Sequence, residues 1–166
     1  MITTTSLYDQ FVTLYRERET GQDNNWLKAL RDNAFEAFSG RGFPTLKLEE
    51  WRFTNVSPFL KEDFHLQPGA ASLHGLYNTV HIPSLDAYEV VLKNGMLNED
   101  VNIPGVKILP LRTALQNDDL KTYLGQRINL QKHPFAALNT ALFENGIVIE
   151  AEKNSVCDKP IHITHV

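Results

Sequence analysis

Along the first 40 residues, apolar positions recur at helical spacing. Leu7, Phe11 and Leu14 form one stripe running towards Gly21. Ser6 followed by Asp9 sets a capping oxygen and an acid against the free amides of the first turn. Trp26, Leu27, Leu30, Ala34 and Phe38 trace a second stripe, with Asn24 and Asn25 as caps and Gly40 as its stop. The pattern predicts two amphipathic helices joined by GQDN as a hairpin, a pair too small to be stable alone.

The segment GRGFPTLKLEEWRFTNVSPFL breaks the helical pattern. Gly40 and Gly42 let the chain leave the helix, and Pro44 keeps Phe43 extended. Leu46, Leu48, Trp51 and Phe53 are expected to lie against the two helices, with Glu49, Glu50 and Arg52 near water. Ser57 as cap and Pro58 at the first position predict a short helical turn reaching Phe64.

Residues 65 to 85, including QPGAASLHG, lose periodicity and read as a boundary or loop. AYEVVLKNGMLNEDV restores it: Asn94-Gly95 between two strand-like runs is the preferred pair for a two-residue hairpin turn. Val106, Ile108 and Leu109 suggest a further strand before Pro110. Leu111 and Leu115, then Leu120, Tyr123, Leu124 and Ile128, mark one or two helical segments. HPFAALNTALFENG predicts a helix opened by Pro134 and stopped by Asn145-Gly146, with Phe135, Leu138 and Leu142 on its buried side. IVIEAE and KPIHITHV then alternate as strands. Their separation of about 14 residues is too short for a helical crossover, which leaves an antiparallel hairpin with a loose loop or successive faces of a coil closing on itself.

Composition narrows the functional classes. The net charge of −4 over 166 residues is small, and Lys and Arg are scattered rather than gathered along a phosphate track, which argues against nucleic acid. No basic-then-apolar leader opens the sequence. No stretch reaches the roughly 18 apolar residues of a membrane span, so a cytoplasmic protein without membrane contact is expected. A lone Cys157 excludes an intrachain disulfide and a multi-cysteine metal site held by this chain alone.

Candidate chemistry is sparse. Of six histidines, at 65, 74, 81, 133, 162 and 165, the last two are three residues apart on a strand and so face opposite sides, a poor geometry for a shared metal. His133 reads as a helix-end residue. Cys157 with His162 or Asp158 has the residue types of a nucleophile and base but lacks a helix N-terminus or glycine-rich oxyanion site beside it. Glu49 and Glu50 are adjacent and do not share a face, so a solvated edge or an ion pair with Arg52 is their default. No GxGxxG, GxxxxGK or HExxH occurs. Trp51 and Arg52 admit two readings: a seal on a small core, or an exposed anchor for a partner protein. No catalytic, cofactor-binding or metal-binding residue is assigned.

GFPTLKLEEWRFTNV resembles the stretch that links the N-terminal helices to the remainder of the chain in the SufD family, scaffold proteins of the cytosolic Suf machinery for iron-sulfur cluster assembly. FAALNTALFENGIVIEAEKNSVCDKPIHITHV is similar to the entrance to that family's core, and the Asn94-Gly95 hairpin fits its intermediate region. SufB shares the scaffold architecture, but EEWR and FAALNTA favour SufD. The resemblance implies an α+β fold in three parts. These are an N-terminal helical region over 1–64, a linker with β-hairpin and helical segments over 65–130, and over 131–166 the first turn of a truncated right-handed parallel β-helix. It implies a complex with SufB and the ATPase SufC in the full-length protein, a link to iron acquisition, and no cofactor in this piece. The chain would then be a non-catalytic N-terminal fragment, expected to lose both partners when alone because the SufC-binding region is missing. No cluster ligand carries over, and Cys157 matches no cluster-ligand position.

One rung of a solenoid needs outside support. Strands 147–150 and 161–166 are expected to gain it from the middle hairpin or from a second copy, through the edge at Ile161, Ile163 and Val166. The competing classes are a freestanding module binding a protein or small ligand, with its surface near Trp51 or in 65–85, and a small enzyme built on Cys157.

Overall fold

The computed structural model describes residues 6–18, 23–62, 64 and 82–166. In chain order the elements are helix α1 (Leu7–Glu17), α2 (Asn25–Arg41), two 3-10 turns (Glu49–Trp51 and Phe59–Lys61), strands β1 (Tyr88–Lys93), β2 (Met96–Leu97) and β3 (Val106–Pro110), helix α3 (Leu111–Ala114), a 3-10 segment (Asp118–Thr122), helix α4 (Pro134–Leu142), and strands β4 (Ile147–Ala151) and β5 (Ile161–His165). The chain divides into two compact units, one of residues 1–65 with 119–143 and the other of 66–118 with 144–166.

In the first unit, local signals set the helix ends. The Ser6 hydroxyl accepts from the Asp9 amide and the Asn24 side chain from the Leu27 amide, each replacing a bond the first turn cannot make within the helix. Helix α2 runs one residue past Gly40, to Arg41. Gly42, at φ +67°, caps it because that conformation carries no Cβ penalty there. The main partner of α2 is not α1 but α4, about 100 residues downstream. Ala34 and Ala37 on α2 and Ala137 and Ala141 on α4 are buried together with Phe38, Leu130 and Leu138. Small side chains at these positions allow close approach of the helix backbones, and Phe38, fully buried, fills the space beside them. Aromatic rings spread from this core: Phe38 meets Phe43 edge-on at 5.3 Å, Phe43 reaches Phe135 at 5.7 Å, and Phe135 reaches Trp51 at 5.3 Å. The turn at Phe59–Lys61 forms after Pro58 without the expected Ser57 side-chain cap, and the Ser57 amide donates to Asn55 Oδ1 at 3.0 Å.

The same unit buries charge. Arg18 Nη1 and Arg31 Nε lie 2.8 and 3.4 Å from Asp23 Oδ2, with all three side chains more than nine-tenths buried. The Arg31 guanidinium also donates to the Ala141 carbonyl at 3.2 Å and stacks on Phe143 at 4.3 Å, while Arg18 lies over Tyr15 at 4.9 Å. Arginine suits such a site because its planar group serves a carboxylate, a carbonyl and a ring face together.

In the second unit the hairpin forms as its turn sequence dictates. Asn94 and Gly95 take φ +49° and +77°, and Lys93 pairs with Met96. Strand β5 adds to the far side of β1, parallel and in register from Tyr88↔Ile161 to Leu92↔His165, giving a sheet in the order β2-β1-β5. Strand β4 pairs antiparallel with β3, from Val106↔Ala151 to Pro110↔Ile147. Among the described residues of this unit, Val90, Leu92, Ile103, Leu111, Ala114 and Leu115 are the buried apolar ones.

These pairings correct the expected parallel β-helix. Residues 131–166 do not begin a closing coil: α4 packs on α2, and β4 and β5 belong to two separate open sheets. They are neither a hairpin with each other nor successive faces of one coil. The reason lies in supply of partners. Each strand finds an upstream edge, β3 for β4 and β1 for β5, that pairs the backbone groups on one of its sides.

Candidate functional site

The register of β5 on β1 decides the fate of the C-terminal histidines. Glu89 lies opposite His162, and His162 Nδ1 approaches its carboxylate oxygens at 2.9 and 3.2 Å, with both side chains mostly buried. His165 is exposed and, three residues on, projects from the other face. Among the described residues, no group of three or more His, Cys, Asp or Glu comes together to hold a metal ion. His65, His74 and His81 lie outside the described residues.

Cys157 is exposed, and the partner of its thiol is the Lys159 carbonyl at 3.0 Å, not an imidazole. Its neighbours tie the β4–β5 loop to the start of β1. Asp158 accepts from the Tyr88 hydroxyl at 2.9 Å, which raises the Tyr88 pKa, and Lys159 pairs with Asp86 at 2.7 Å, which raises the Lys159 pKa. Both are surface ties, modest in energy. The nucleophile–base reading of Cys157 has no geometric support in these contacts.

The EEWR segment resolves into separate roles. Glu49 reaches Arg52 at 3.5 Å, while Glu50 turns to His133 at 3.4 Å, so the two carboxylates diverge. Trp51 is half-buried against Phe135. Phe53, expected to pack inward, is 87% exposed, with the Arg52 guanidinium 4.6 Å above its ring. Leu46, also expected to pack inward, is likewise about half exposed. An exposed aromatic paired with arginine has the composition of interface anchors. The anchor reading thus moves two residues along, from Trp51 to Phe53.

The buried pair Arg18 and Arg31 was not singled out by sequence, although a signal existed. Arg31 falls four residues after Leu27 and three before Ala34, on the buried stripe of α2. Among the described residues, β5 is the last strand of its sheet.

Among the described residues, the exposed Phe53–Arg52 pair is the candidate surface. Comparison with known proteins places the chain in a family. Residues 5–163 match the SufBD protein N-terminal region. An iron-sulfur cluster assembly SufBD family protein of Synechocystis sp. is 26% identical over 152 residues, covering 87% of this chain and 33% of the relative. The chain spans about a third of the length of that curated relative.

Proposed function

The chain belongs to the SufBD family, and on that premise we propose that it is a SufD-type scaffold subunit for iron-sulfur cluster assembly, acting with SufB and the ATPase SufC and linked to iron acquisition. The observation that carries the proposal is the family match over residues 5–163. The SufBD family consists of non-catalytic assembly proteins, and the chain is not an enzyme. Its contribution is then binding and placement. The EEWR and FAALNTA segments support the SufD assignment over SufB. The exposed Phe53–Arg52 pair supplies surface of the kind a scaffold uses.

The test is co-purification from cells whose own copy of the gene carries a tag. SufB-type and SufC-type proteins are expected to be recovered together, and deletion of the gene is expected to lower the activity of iron-sulfur enzymes. Recovery of neither protein, with those activities unchanged, overturns the proposal. Recovery of one unrelated partner in their place supports a freestanding binding module.

A further inference from the structure

We draw no further inference here: the strongest candidate, the exposed Phe53–Arg52 pair beside the Glu49–Trp51 turn of the first unit, belongs to the surface already described, and nothing in the structure shows what covers it.

Discussion

Replacing Asp23 with alanine tests whether the buried charge in the first unit holds it together. Asp23 is 8% exposed and is the carboxylate that Arg18 and Arg31 share, at 2.8 and 3.4 Å, with those side chains 8% and 6% exposed. Removing it leaves two guanidiniums side by side in a place water does not reach. Breaking a buried pair from one side costs about 3–5 kcal/mol. The lower end applies here, because Arg31 keeps the Ala141 carbonyl and the Phe143 ring and Arg18 keeps the Tyr15 ring. A loss of about 3 kcal/mol corresponds to a Tm lowered by roughly 6–12 °C for a chain of this size. Urea unfolding followed by tryptophan fluorescence would register it, and added salt should change it little because the pair is screened from solvent. Combining Asp23→Ala with Arg31→Met should recover part of the loss, since one of the stranded charges goes with the arginine. A loss below about 1 kcal/mol, or none recovered in the double variant, would refute the reasoning.

Phe38→Ala, at a side chain with no exposure at the α2–α4 interface, should cost about 3–5 kcal/mol in the same unfolding assay. Gly105→Ala should destabilise the second unit by about 1–3 kcal/mol, because Gly105 sits at φ +68° and a Cβ there would lie 2.5 Å from Ser155 Cβ. Burial, and then the hydrogen bond to Asp32, push the Tyr15 pKa up to about 12 from its ordinary value of 10.0. Between those values the unfolded chain releases a proton that the folded chain keeps, so stability should fall as pH rises through this window, and Tyr15→Phe should reduce that fall. Phe53→Ser should change stability by no more than about 0.5 kcal/mol, since the ring is 87% exposed, while reducing recovery of Suf partners in the tagged-cell assay.

Local chemistry in this sequence was readable and long-range pairing was not. Ser6, Asn24 and Pro134 start helices where their side chains predict, and Asn94-Gly95 turns the hairpin, because each signal acts within a few residues. The choice of partners has no such local record. Alternation in KPIHITHV fits a strand paired on either side, parallel or antiparallel, so β5 beside β1 and β4 beside β3 could not be separated from a coil of successive rungs. The α2–α4 contact left a faint trace in the alanines at 34, 37, 137 and 141. Alanine favours any helix, however, and does not specify which helix it meets.

The misplaced aromatic shows how backbone geometry redirects a correct residue-level reading. Trp51 and Phe53 were both expected to lie against the two helices, with Arg52 near water. Glu49–Trp51 instead forms a 3-10 turn, in which successive side chains rotate by about 120°, so residues two apart diverge widely. With Trp51 held against Phe135, Phe53 is turned towards solvent, and Arg52 between them lies over the exposed ring. The same conversion happens at β5. Its histidines were weighed as ligands, yet strand register gives His162 to Glu89 and sends His165 to the opposite face. Among the described residues, the exposed Phe53–Arg52 pair is the surface with the composition of an interface anchor. Surfaces of that kind bind other chains and need no reactive side chain to do so.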